Sequence, residues 1–197
     1  MRARNSAFLS LVFVMFLAAA SPSSAATVYV YGGAFNLPIP ADIGSSIGPM
    51  DDALVEVTDY LTIVDLNVTL DITHTSALDL EIMLQGPGGQ QILLNACYDT
   101  NDFVKAANYS QTIFDDEAAV AVEQALPPFT GSFRPASGNT LGEFDGTDAF
   151  GTWRLKINDL YNDDEGYLEN FELIITVPEP TTFVLFALSG CMLRRRN

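Results

Sequence analysis

Apolar and polar residues alternate along most of this chain. Val64, Leu66, Val68, Leu70 and Ile72 take turns with Asp65, Asn67, Thr69, Asp71 and Thr73. Leu78, Leu80, Ile82 and Leu84 do the same with Asp79, Glu81, Met83 and Gln85. Trp153, Leu155 and Ile157 alternate with Arg154, Lys156 and Asn158, and Phe171, Leu173, Ile175 and Val177 close the series. A period of two gives each segment one apolar face, the mark of half-buried β-strands. Gly86-Pro87-Gly88-Gly89 predicts a tight turn before Gln91-Ile92-Leu93-Leu94. Asn162-Asp163-Asp164-Glu165-Gly166 predicts a turn between the last two strands, with a solvated hairpin tip. The Ala- and Glu-rich stretch from Asp115 to Leu126 fits a short helix or a loop. Many short strands with Gly/Pro turns predict an all-β fold, an antiparallel sandwich. No repeat or low-complexity linker divides residues 27–177, which their length assigns to one domain.

The two ends break the pattern. Arg2 and Arg4 precede an apolar stretch from Ala7 to Ala20, then the small residues Ser24-Ala25-Ala26. Residues 1–26 therefore predict a secretory signal peptide, a helix removed from the mature protein. At the other end, Val177-Pro178-Glu179-Pro180 leads into an apolar run from Thr181 to Leu193 and then Arg194-Arg195-Arg196. Pro178 and Pro180 cannot continue a strand. The apolar run, predicted as a short helix, falls below the roughly 20 residues that span a bilayer comfortably. Its arginines would stay on the cytoplasmic side. Residues 178–197 resemble the PEP-CTERM sorting signal of Gram-negative bacteria. The resemblance implies transient inner-membrane anchoring and cleavage by an exosortase near the Pro-Glu-Pro. It also implies export to the cell surface, into surface polysaccharide or extracellular matrix. A plain tail anchor is the other reading of the same residues.

Trimming both ends sharpens the charge. Of nine basic residues only Lys105, Arg134, Arg154 and Lys156 remain, against all 25 acids except Glu179, a net charge of about −20. Such a surface disfavours nucleic acid and anionic lipid, which need cationic patches. It favours solubility and cations, and most of the acids are expected to be a solvated exterior. The two cysteines, Cys97 and Cys191, fall in the body and the tail and give no disulfide framework. Cys97 is expected to act as a buried small hydrophobe.

The order of blocks in the body is specific. Ile39-Pro40 is followed by Ile72-Thr73-His74-Thr75, Asp79-Leu80-Glu81-Ile82-Met83-Leu84 and Gly86-Pro87-Gly88-Gly89. Then come Phe114-Asp115-Asp116, Pro128-Phe129-Thr130-Gly131-Ser132-Phe133-Arg134-Pro135, Gly151-Thr152-Trp153-Arg154-Leu155-Lys156-Ile157-Asn158-Asp159, and Gly166-Tyr167-Leu168-Glu169-Asn170-Phe171. Over about 36–176 this resembles the P domain (Homo B domain) of the proprotein convertases. The resemblance implies a jelly-roll β-sandwich. Phe171 stands where that family commonly has Trp, which keeps an aromatic core role.

In the convertases this domain follows a subtilisin-like catalytic domain and supports its folding and calcium dependence. A subtilisin-type triad needs Asp, His and Ser. This chain has one histidine, His74, followed by Thr75, and no Gly-Thr-Ser. The expectation is a protein that is not an enzyme. It would be a binding or adhesion module meeting surface polysaccharide or a matrix protein. The alternative is an accessory domain for a separate subtilisin-like serine endopeptidase. Calcium is the expected ion, since hard cations take loop carboxylates and carbonyls. The resemblance offers Asp79, Asp115 and Asp116 as its ligands. Asp159 to Glu165 is acidic but lacks the EF-hand spacing. His74 alone makes no zinc site and is expected to bond a neighbouring loop. Trp153 is expected to anchor the core. Tyr29, Tyr31, Tyr98, Tyr109, Tyr161 and Tyr167 could stack on sugars, although nothing in the sequence places those rings on one face.

Overall fold

The structure, a computed structural model, describes residues 26–42, 47–97, 107–161 and 163–179. Residues 1–25 of the predicted signal peptide, residues 180–197 of the tail and Tyr98 lie outside these residues; Ala26 and Pro178 lie within them and pair with each other, so the last strand runs through Pro178 rather than stopping before it. The strands are β1 (Ala26–Ile39), β2 (Gly48–Pro49), β3 (Ala53–Val57), β4 (Asp65–His74), β5 (Leu80–Gln85), β6 (Gln91–Asn95), β7 (Tyr109–Phe114), β8 (Phe129–Phe133), β9 (Gly151–Asp159) and β10 (Gly166–Pro178). They form two sheets, ordered β1-β10-β4-β7-β8 and β2-β9-β5-β6, with β3 also on β9. Helical structure among the described residues is confined to three short 3₁₀ turns, at Ala77–Asp79, Val122–Gln124 and Leu141–Phe144. None is long or apolar enough to cross a membrane.

The alternation becomes burial directly. Leu66, Val68, Leu70 and Ile72 of β4 face Leu168, Phe171, Leu173 and Ile175 of β10 in one buried layer, while Ile82, Leu84, Leu155 and Ile157 line the opposing sheet. Burying each such side chain contributes roughly 1.5–3 kcal/mol. Trp153 is fully buried, donates its indole N–H to the Ala149 carbonyl at 2.9 Å and meets Phe144 edge-on. Phe171 is fully buried against Phe35. Gly86–Gly89 closes the β5–β6 hairpin, with the Gly89 N–H bonded to the Gly86 carbonyl at 3.0 Å.

Three local expectations change. The connection from β9 to β10 is not a hairpin turn, because the two strands belong to different sheets. It arches across the sandwich, and Asp164 is buried beneath it. The sheets are not purely antiparallel, because β7 and β8 run parallel. The 115–128 connection is long enough to return the chain to the same edge, as a parallel pair requires. That connection holds turns and one 3₁₀ turn. Cys97, two residues past β6, is partly exposed rather than buried.

Register fixes both ends of the sandwich. Ala26 sits opposite Pro178 and Ile39 opposite Gly166, so β1 runs along the whole of β10. Asp65 and His74 mark the two ends of β4, nine steps and roughly 30 Å apart at about 3.3 Å per residue.

Candidate functional site

Acidic groups gather at both ends of β4. At the His74 end, the parity that buries Leu66 to Ile72 also buries His74, and the parity of Trp153, Leu155 and Ile157 buries Asp159. His74 Nε2 lies 3.3 Å from Asp159 Oδ2, and neither side chain has any exposed surface. His74 Nδ1 faces the backbone of Ser76, 3.2 Å from its N–H and 2.8 Å from its carbonyl oxygen. The Asn108 side chain accepts from the His74 N–H at 3.0 Å. Thr75 donates its hydroxyl to Asp164 at 2.7 Å. Asp79 closes the 3₁₀ turn beside them. Burial raises its carboxyl above the ordinary value, the Ser76 hydroxyl opposes this, and the charges of Asp164 and Asp159 raise it further.

At the Asp65 end, β7 delivers Asp115 and Asp116 beside Asp65, and the loop after Phe144 adds Asp145. Asp116 is a structural tie. Its Oδ1 accepts from the Leu141 N–H at 3.0 Å, and its Oδ2 from the Gly142 N–H at 2.7 Å and from the Thr140 hydroxyl. It thereby supplies acceptors for the free N–H groups that open the 3₁₀ turn. Asp115 accepts from the Glu117 N–H at 2.7 Å. Beside Asp116 lies a polar hollow of about 290 Å³, bordered by Glu123, Arg134, Ser137, Asn139 and Thr140. Arg134 is held by the Ala118 carbonyl at 2.6 Å. Glu123 accepts from Ser137 through Oε1, and its buried Oε2 has no hydrogen-bond partner.

Asp79 therefore sits at one end of β4, and Asp115 and Asp116 at the other. The three do not converge on one ion. Both oxygens of Asp116 are already committed, and no group of three His, Cys, Asp or Glu side chains among the described residues is arranged to hold a metal. Sequence reasoning passed over Asp65 and Asp145, and set Asp159 and Asp164 aside within an acidic run that lacks the EF-hand spacing. The buried parity of Asp159 was the available signal for one of them. Of the tyrosines, Tyr109 is buried in the core, Tyr29 and Tyr31 lie on β1, and Tyr161 lies near the β9–β10 arch. A different aromatic pair is presented to solvent: Tyr60, 76% exposed, stacks on Phe150 at 4.3 Å.

The Asp65 end sets a pH dependence. Burial lifts the Asp65 carboxyl, Thr176 opposes, and Asp115 and Asp116 add to the rise. Asp145 is raised by burial and then by Asp65 and Asp116. Glu117 is raised first by its contact with Asp115. A carboxyl raised in the folded state favours folding in its protonated form. Its stabilisation is complete below the unfolded value near 4 and is lost as pH rises through the folded value. The thermal midpoint should therefore climb as pH falls from neutral through the raised folded values towards the unfolded value of about 4, and Asp65→Asn should flatten the climb. A midpoint that drops steadily over that interval refutes this account.

A family model for the proprotein convertase P-domain matches residues 63–175. Among solved structures, the chain is similar to the crystal structure of serine protease of Aeromonas sobria, at 18% identity and a TM-score of 0.47, covering 81% of this chain and 28% of that one. It is also similar to the Aeromonas sobria serine protease in complex with the chaperone, at 17% identity and a TM-score of 0.48, covering 82% of this chain and 28% of that one. The chain thus spans a little over a quarter of those proteins. No curated protein sequence matches it.

Proposed function

Because the chain belongs to the proprotein convertase P-domain family, we propose that its sandwich works as a non-catalytic binding module of an exported bacterial surface or matrix protein. The observation that carries this reading is the state of His74. It is the chain's one histidine, it is 1% exposed, and its ring nitrogens face Ser76 and Asp159 inside the core. A general base must reach the proton it abstracts, and this ring does not reach solvent. The surface meanwhile offers the Glu123–Arg134 hollow and the Tyr60–Phe150 stack, features that suit polar and sugar-bearing ligands. Export through the inner membrane and exosortase processing of residues 178–197 complete the proposal.

Calcium enters it at two separate places, one around Asp79 and one around Asp115. Calorimetric titration should show that Asp79→Asn and Asp115→Ala change different binding events. A single event abolished by both variants would contradict the separation. The deciding experiment is a pull-down from envelope and matrix fractions with the full chain, with calcium and with chelator, alongside a casein-hydrolysis assay. Capture of polysaccharide or matrix protein supports the binding module. Hydrolysis by the purified chain overturns it. Capture of a subtilisin-like peptidase selects the accessory role instead.

A further inference from the structure

Two loops hold a pair of aromatic rings in the open. Tyr60 and Phe150 lie parallel within 9°, with ring centres 4.3 Å apart, and are 76% and 43% exposed. The backbone beneath them is fixed. Asp148 Oδ1 accepts from the Leu61 N–H and from the Phe150 N–H, both at 3.1 Å, so one carboxylate ties the residue after Tyr60 to Phe150 itself. The Ala149 N–H adds a bond to the Leu61 carbonyl at 2.9 Å, and Thr62 bridges to Asp148. Phe150 takes one face of Tyr60, which leaves the other face to solvent. Residues 58–64 and 145–150 carry carboxylates and no cation. Asp59 directly precedes Tyr60, is exposed, and spends Oδ2 on the Tyr31 hydroxyl at 2.6 Å. Among the described residues the ion pairs are His74–Asp159 and Arg154–Asp52, so neither Asp59 nor Asp148 has a cation beside it.

We propose that the Tyr60–Phe150 stack and Asp59 form a docking site for a cationic side chain, an arginine or lysine presented by a basic partner. This rests on the reading of the sandwich as a binding module and narrows what the stack holds. An aromatic face attracts a cation through its ring quadrupole, and a carboxylate beside that face adds Coulombic attraction. A body with a net charge of about −20 draws cations from further away. The same charge repels nucleic acid, anionic lipid and a second copy of this chain. A neutral sugar gains from the ring but not from the charge.

Calorimetry and ring-proton NMR of the full chain with a tetra-arginine amide test this, beside a tetra-citrulline amide that keeps the shape and loses the charge. The arginine peptide should move the Tyr60 and Phe150 ring signals and bind at least about tenfold more tightly than the citrulline peptide. Tyr60→Leu leaves the net charge alone and removes the ring, so it should weaken the arginine peptide by about five- to thirty-fold, whereas Tyr60→Phe should stay within about twofold of the wild type. Both variants should keep the thermal midpoint, since the side chain is mostly in solvent. Asp59→Asn should also weaken binding. An affinity that Tyr60→Leu leaves unchanged reports attraction to the acidic body at large and overturns the proposal. So does maltotetraose moving the Tyr60 signals where the arginine peptide does not. The binding-module reading is scored separately, because the pull-down can succeed with Tyr60→Leu and fail with the wild type whatever this site does.

Discussion

Replacing Gly166 with alanine should destabilise the protein by about 3 kcal/mol or more, at or beyond the upper end of the range for overpacking. The added Cβ would lie 2.1 Å from the Thr73 carbonyl oxygen and 2.7 Å from His74 Cα, a collision with backbone rather than with a side chain that can swing aside. Gly166 is the first residue of β10 and pairs with His74 on one side and Ile39 on the other. Pushing β10 away there opens the central ladder of the first sheet at its end. Gly88→Ala is the control. Its added Cβ meets nothing within 4 Å, so the change should stay within about 0.5 kcal/mol. Urea denaturation of both variants checks the contrast, and equal midpoints would show that the backbone approach at Gly166 is not a tight constraint.

His74→Ala should cost about 3–5 kcal/mol. The ring fills a site with no solvent contact, and its removal leaves Asp159 Oδ2 facing a cavity instead of an imidazole nitrogen. It also frees the Ser76 N–H, which now points at Nδ1. Asp159→Ala should be similarly costly, because Asp159 Oδ1 also accepts from the Tyr161 N–H at 3.2 Å. The double variant should lose less than the sum of the two singles, since groups in contact couple by about 0.5–3 kcal/mol. Additive losses, or a His74→Ala loss under about 1 kcal/mol, would show that the pair does not act as a unit. The binding reading draws on the same burial, because a ring that holds the core together is unavailable to act on a substrate.

The strands that the alternation revealed are those with one clean buried face. β4, β5, β9 and β10 read directly because neighbours flank them and one side is core. β1 was harder to see: Val28 and Val30 are exposed at the sheet edge, and Gly32-Gly33 interrupt the period. β7 was hidden by Gln111, whose φ of 49° and shifted register break the two-residue repeat. The parallel β7–β8 pairing has no local signal, because it depends on where a long connection returns. The same limit governed the acidic groups. Asp115 and Asp116 were found as an adjacent pair, but Asp65 and Asp145 join them only through tertiary pairing. The Asp79–Asp159–Asp164 grouping depends on an arch between sheets that resembled a hairpin in sequence.

The opposition of Ala26 and Pro178 also determines how the sandwich carries load. The chain enters and leaves at the same end of two neighbouring strands. Tension applied through both termini would peel β1 from β10 one hydrogen bond at a time, beginning at that end. Tension between the C-terminal end of β10 and a ligand held at the far end of the sandwich would run along the strands and load the whole ladder together. Resistance to pulling therefore depends on direction: the same ladder holds along its strands and unzips from the end that its two termini share.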